Sequence, residues 1–200
     1  MGRPRTFDEQ AVLDVAAGQF RVHGFADTST EQLCAATGLG RSSLYNTFES
    51  KDELFLRALE RYVEVTGDRQ EGLLTDEARD GFARLSALLD LMVEEERGAA
   101  TAGHAAGCMV VTTRMTPDRG AQDPRVTAIL DRALSRQRRQ LEHGIRAGVR
   151  DGSLRSDLDP RLGADLVISL ISGIRVMAQA GTAPHELQLI AALGLSALRT

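Results

Sequence analysis

Tryptophan is absent from this 200-residue chain, and aromatic residues together make up only 4% of it. Strands draw on aromatic and β-branched side chains, so a chain short of aromatics and rich in Ala, Leu and Gly is expected to be helical. Cysteine occurs only at Cys34 and Cys108, far apart and in no CxxC pair. That excludes a disulfide framework and a four-cysteine zinc site. No GxSxG, HExxH or EF-hand loop occurs. Gly38 and Gly40 lack the third glycine and the preceding strand of a dinucleotide loop. The expectation is therefore no enzyme and no cofactor. Long hydrophobic runs are missing too: the longest, 166–174, is too short to cross a bilayer. No apolar stretch follows the first ten residues, as a signal peptide would require. These absences point to a soluble cytoplasmic chain with no membrane association.

Positive charge is also in short supply. The formal net charge is −4, and the first 65 residues hold seven cations against ten carboxylates. A diffuse basic surface for nucleic acid is thereby excluded. Any such contact must be local, made by a few placed cations and helix N-termini. With 42% apolar residues, the chain has enough material for a substantial core.

Helical periodicity fills most of the length. Leu13, Ala16, Ala17 and Phe20 form one stripe of a helix over 6–23, which Asp8 and Glu9 suit at its start and Gly24 stops. Ser29 or Thr30 can cap a second, short helix whose inward residues are Leu33, Ala36 and Cys34. Residues 37–40 form a tight turn with Leu39 as an apolar plug. A third helix spans 41–48, with Leu44 and Phe48 inside. Ser50, with Glu53 three residues on, reads as a capping box for a fourth helix with Leu54, Phe55, Ala58, Leu59 and Tyr62 buried. Residues 67–78 read as a linker or frayed end. Helices are then expected over 82–96, 108–115, 124–149, 160–179 and from 184 to near 199, with Asp159 and Pro160 as N-cap and first residue of one of them. Residues 98–107 read as a small, flexible stretch. The fold class is all-α. Residues 1–50 form a helix-turn-helix domain, 51–66 a connecting helix, and 67–200 a second helical domain.

Short helix, four-residue turn and short helix is the layout that presents a recognition helix to a DNA groove. The segment 37–54, TGLGRSSLYNTFESKDEL, resembles the signature of the TetR family of one-component regulators. Gly38, Leu44, Tyr45, Phe48, Lys51 and Leu54 stand at that signature's spacing, and Phe20, Gly24, Phe25, Ser29 and Thr30 fit upstream. The close likeness covers about residues 7–62, and Gly107 to Thr112 resembles a motif of one branch. Gly40 and Ser42 depart from the family's usual residues, which affects the DNA sequence read rather than the fold.

The resemblance implies a homodimeric repressor on a palindromic operator, released by an unidentified, largely apolar small molecule. Arg41 can read guanine or clamp a phosphate, Asn46 can pair with adenine, and Ser42 and Ser43 share their exposed side. Tyr45 offers a hydroxyl to phosphate and a ring to a thymine methyl. Thr30 and Thr47 suit phosphates. Lys51 resembles the family's phosphate contact. Arg3 and Arg5 either reach a minor groove or form a solubilising tail.

Two helices are expected to pair with their copies in a four-helix interface, through Leu166, Leu170, Gly173, Ile174 and Met177 on the first and Leu187, Ile190, Ala191, Gly194 and Leu198 on the second. A ligand pocket is expected from Leu88, Met92, Cys108, Met109, Thr112 and Met115, although core packing accounts for the same residues. His104 and Cys108 would share a face if helical, but two ligands make no metal site. Glu94, Glu95 and Glu96 read as a solvated helix end. The competing function is a helical small-molecule binder with no sequence-specific DNA contact, favoured by the acidic N-terminal balance.

Overall fold

A computed structural model describes residues 7–101, 103–116 and 123–199. Among the described residues the architecture is all-α. The helices are α1 Glu9–Asp27, α2 Thr30–Thr37, α3 Arg41–Phe48, α4 Lys51–Leu74, α5 Gly81–Thr101, α6 Met109–Arg114, α7 Pro124–Asp151, α8 Pro160–Gln179 and α9 Pro184–Ser196. The chain divides into two compact units, residues 1–65 with 109–129 and residues 66–108 with 130–200. The sequence-based division placed 109–129 with the C-terminal part. By contacts alone this segment groups with the first unit, where α6 packs on α1.

In the first unit, the Asp8 carboxylate accepts the Gln10 and Ala11 amides and starts α1. Val12, Leu13, Ala16, Ala17 and Phe20 form its buried stripe. Gly24 breaks the helical run with φ 77°, a conformation glycine adopts without a Cβ penalty. The break turns Phe25 back so that it meets Phe20 and Phe55, with ring centroids 6.1 and 5.1 Å away. Leu33, Leu44, Phe48, Leu54, Leu59, Met109 and Val126 complete this core. The eight-residue α2 buries only Leu33. Cys34 is half-buried, and Ala36, expected inside, is exposed.

Of the two readings of residues 67–78, linker or helix end, residues 67–74 follow the second: α4 runs on to Leu74, which is buried. Polar pairs to α7 hold this turn: Arg136 bonds Asp68 and Glu71 at 2.6 and 2.8 Å, Gln140 bonds Glu71 at 2.8 Å, and Gln137 bonds Gln70 at 3.0 Å. Downstream, Arg84 donates to the carbonyls of Asp76 and Arg79 and so fixes the turn into α5. The α5 N-terminus is satisfied by the C-terminal end of α7 and the turn after it: Asp151 accepts the Gly81 amide at 2.9 Å and the Ser153 hydroxyl accepts the Phe82 amide at 3.1 Å. Burial alone would raise the Asp151 pKa, but the Ser153 and Gly81 hydrogen bonds outweigh it and hold the carboxyl below its usual range. The helices approach closely here: a Cβ on Gly81 would lie 2.6 Å from the Gly148 nitrogen.

Helices α5, α8 and α9 pack against one another around Leu85, Leu88, Leu89, Met92, Val167 and Ile171. Within that core lies an ion cluster. Arg175 donates to Glu96 at 2.6 Å, to Glu95 and to the Met92 sulfur, and Glu96 also accepts the Ala106 amide at 2.8 Å. Arg175 and Glu96 are only 3% and 2% exposed. Of the acidic triplet Glu94 is solvated as expected, whereas Glu96 turns inward because a cation 79 residues away in sequence meets it. Helix α8 is long and apolar enough, by composition, to cross a membrane. Its apolarity is explained by packing, since it buries Val167, Ile171 and Ile174 and places Arg175 in this cluster.

Four residues expected at a dimer interface, Ile174, Leu187, Ala191 and Leu198, are instead buried in this core. Gly194 and Leu170 are likewise engaged within the chain, since a Cβ at Gly194 would collide with the Leu170 side chain. The outward apolar face is Leu162, Val176 and Met177 on α8 with Leu189, Ile190 and Leu193 on α9. Gly173 is exposed and Leu166 half-buried. A helix that is apolar all round does not declare which side meets its own core; of the expected residues Gly173, Met177 and Ile190 lie on the exposed side.

Candidate nucleic-acid interface

Two caps decide what α2 and α3 present. Ser29 is the N-cap of α2: its hydroxyl accepts the Gln32 amide at 3.1 Å while the Gln32 side chain accepts the Ser29 amide at 2.7 Å. Thr30 is thereby released from capping, and its hydroxyl lies 2.6 Å from the Tyr45 hydroxyl of α3. One of the two donates to the other, and the acceptor of that bond keeps its own proton for an outside acceptor. Gly38, with φ 70°, closes α2 and makes the turn. Gly40 starts α3 without a side-chain cap, leaving amides of its first turn to outside acceptors.

Helix α3 buries Leu44 and Phe48 and exposes Arg41, Ser42, Ser43 and Asn46, with Tyr45 half-buried between. These residue types match the donors and acceptors of base edges and phosphates. Thr47 is less suited than expected: its hydroxyl donates to the Ser43 carbonyl at 3.0 Å and leaves only an acceptor for other partners. The Arg41 guanidinium lies 3.7 Å from Glu31 and 5.9 Å from the Tyr45 ring.

The turn into α4 is strained. Glu49 has φ 62° and ψ −49°, and the Ser50 amide donates to the Phe48 carbonyl at 2.6 Å, which is a γ-turn with positive φ. Ser50 then accepts the Glu53 amide at 3.1 Å. The Glu53 carboxylate reaches Arg125 at 3.0 Å instead of completing the expected capping box. Lys51 begins α4 with its ammonium 4.3 Å from the Phe25 ring centroid.

The acidic balance of this unit is locally offset. Glu9 pairs with Arg57, Asp14 with Arg61 at 3.0 Å and Glu53 with Arg125. None of these arginines belongs to α3. Arg3 and Arg5 lie outside the described residues. Sequence reasoning missed Glu31, whose partner is ten residues away and outside any helical spacing, and Glu49, whose backbone conformation carries no side-chain signal.

The pocket candidates are distributed over both units. Leu88, Met92 and Cys108 fall in the second unit and Met109, Thr112 and Met115 in the first. Leu88, Met92 and Met109 are buried, Cys108 and Thr112 half-buried, and Met115 is 71% exposed just beyond the end of the short α6. His104 and Cys108 do not share a helix face, because α6 starts only at Met109.

The family model described as "Bacterial regulatory proteins, tetR family" matches residues 12–58, and the one described as "Tetracyclin repressor-like, C-terminal domain" matches residues 81–192. The chain belongs to the TetR family. It is a transcriptional regulator and not an enzyme. Among its relatives this TetR-family chain is 29% identical over 192 residues to the transcriptional repressor ComR of Escherichia coli, covering 95% of this chain and 88% of that protein. It is 30% identical over 152 residues to the repressor KstR2 of Rhodococcus jostii, covering 76% of this chain and 70% of that one. A structure of the TetR-family regulator CifR, a cysteine mutant complexed with 26-base-pair double-strand operator DNA, superposes with TM-score 0.80 at 28% identity, covering 98% of this chain and all of that one. The helix-turn-helix elements α2 and α3 lie inside the matched N-terminal segment.

Proposed function

We propose that this TetR-family regulator is a homodimeric repressor that reads a palindromic operator through α3 and is released by a small, largely apolar ligand. The observation that carries the reading is α3 itself, which presents Arg41, Ser42, Ser43 and Asn46 together beside the Thr30–Tyr45 hydroxyl pair. Two such helices, related by a two-fold axis, fit half-sites a helical turn or a multiple of it apart. The outward apolar face of α8 and α9 supports dimerisation. Leu88 and Met92, inside the second unit, and Cys108 support an apolar ligand site there. Ligand binding would lower affinity by favouring a half-site spacing that the operator does not match. Acting on chromosomal DNA, the protein works in the cytoplasm.

The test is selection of binding sites from fragmented genomic DNA, followed by titration of the best site at several salt concentrations. Tyr45→Phe with Asn46→Ala is titrated in parallel. An enriched palindrome is the expected result, bound about 10- to 100-fold more weakly by the variant through loss of base contacts worth about 1–3 kcal/mol each. No enrichment by a folded dimer would refute operator reading.

A further inference from the structure

We propose that Glu31 is a positioning residue that restricts Arg41 to base readout and so sets the operator specificity of this protein. The inference rests on the operator-binding reading above. A guanidinium has two hydrogen-bonding edges, and Glu31 Oε1 stands 3.7 Å from Nη1 of Arg41. At this distance the contact is an ion pair rather than a hydrogen bond, and among the described residues no hydrogen bond is found at the Arg41 guanidinium, so the edge formed by Nε and Nη2 is available as a fork. That fork matches O6 and N7 of guanine, two neutral acceptors it can bond while Glu31 retains Nη1. A phosphate is a different partner. To clamp it, Arg41 exchanges one anion for another and leaves the Glu31 carboxylate facing DNA charge. The exchange gains little electrostatically, and the repulsion grows as water leaves the interface.

In free protein this pair is of no structural consequence: side chains 70% and 77% exposed form an ion pair of little worth. Glu31 also stands apart from the other paired carboxylates of this unit, because Glu9, Asp14 and Glu53 engage arginines outside the recognition helix. Its tie runs from the first turn of α2 to the first residue of α3, parallel to the Thr30–Tyr45 hydroxyl contact. The hydroxyl contact and the ion pair thus lie on the same face.

The experiment compares wild type, Glu31→Gln, Arg41→Ala and the double variant on the selected operator, on operators changed base by base, and on random-sequence duplex. Gln keeps the shape of Glu31 and removes its charge, and thermal unfolding confirms that each variant folds. Glu31→Gln is expected to tighten random-duplex binding more than operator binding, lowering their ratio about tenfold, and to relax the preference at a single guanine position. Arg41, freed for phosphate, is expected to steepen the salt slope on random duplex by about one. In the Arg41→Ala background the same change leaves base preference as it was. Equal tightening on both DNAs would make Glu31 a simple repelling charge and overturn the inference. So would a change of base preference that persists without Arg41, since Glu31 would then read a base directly. A wild type with no sequence preference refutes operator reading itself, and the inference with it.

Discussion

Replacing Leu193 with Glu tests the outward face of α8 and α9. Leu193 is 76% exposed in the single chain, with Leu189 at 67% on the same helix and Leu162 at 68% on the neighbouring one. Full burial of a leucine contributes about 1.5–3 kcal/mol, so covering three-quarters of this side chain contributes about 1–2 kcal/mol. A two-fold interface contains each residue twice, which doubles the effect to about 2–4 kcal/mol before any cost of burying the new carboxylate. At about 1.4 kcal/mol per tenfold, the dimer dissociation constant should rise about 30- to 1000-fold. Sedimentation equilibrium of Leu193→Glu beside wild type measures this, and Glu60→Gln, on an exposed position of the first unit, serves as the control. Operator affinity should fall with dimerisation, because a monomer engages one half-site. An unchanged dissociation constant would refute the assignment of this face. So would a chain that is monomeric as wild type yet binds the operator with full affinity.

Three further outcomes follow from the packing and the charges. Gly81→Ala should destabilise the fold by about 1–3 kcal/mol or more, because its methyl lies 2.6 Å from the Gly148 backbone nitrogen, which cannot rotate away. Gly72→Ala, with nothing within 4 Å of its Cβ, should stabilise by up to about 1 kcal/mol, so thermal scans should shift in opposite directions, by about 2–4 °C per kcal/mol. Arg175→Met should lower the unfolding free energy by about 3–5 kcal/mol, because it leaves the buried Glu96 carboxylate without its countercharge, and Glu96→Leu added to it should recover much of the loss in urea titrations. Hydrogen bonds from Arg136 and Gln140 hold the Glu71 carboxyl below its ordinary range, as Arg155 does for Asp157. A lowered folded pKa gives stability that is present above the ordinary carboxylate value of about 4 and is lost as pH falls through the lowered values, so urea midpoints should decline in acid and decline less in Glu71→Gln.

The first unit was legible where structure is local. The Asp8 start of α1, the Gly24 break, the positive-φ Gly38 turn and the buried pair Leu44 and Phe48 each follow from residues within a few positions of one another. The Asp159–Pro160 start of α8 was legible for the same reason. The failures share a cause as well. The last turns of α4 look like linker because the apolar pattern fades there, and what holds them is Arg136, Gln137 and Gln140, more than 60 residues away. Glu96 looks like surface until Arg175 is folded against it. Which face of α8 and α9 is inward depends on α5, a partner that periodicity cannot name.

The DNA-facing residues were legible by type and position, but their pairing was not. Thr30 and Tyr45 each offered a hydroxyl in sequence, while in the fold they share one hydrogen bond, so that only one proton remains for a phosphate. Arg41 offered five donors, and Glu31 stands 3.7 Å from one of the nitrogens that carry them. Thr47 offered a hydroxyl that its own helix consumes. The same folding that reduces the supply of free donors leaves the acidic balance as it was, because Arg57 and Arg61 are among the seven cations already counted. Three of the carboxylates that make residues 1–65 acidic are tied to arginines away from α3, so they are neutralised without spending a recognition-helix cation. Glu31 pairs with α3 itself, where its negative charge opposes indiscriminate attraction to DNA. An acidic DNA-binding unit is then a consistent design: non-specific attraction is kept low by charge count, and affinity is left to the few donors whose geometry matches one base sequence.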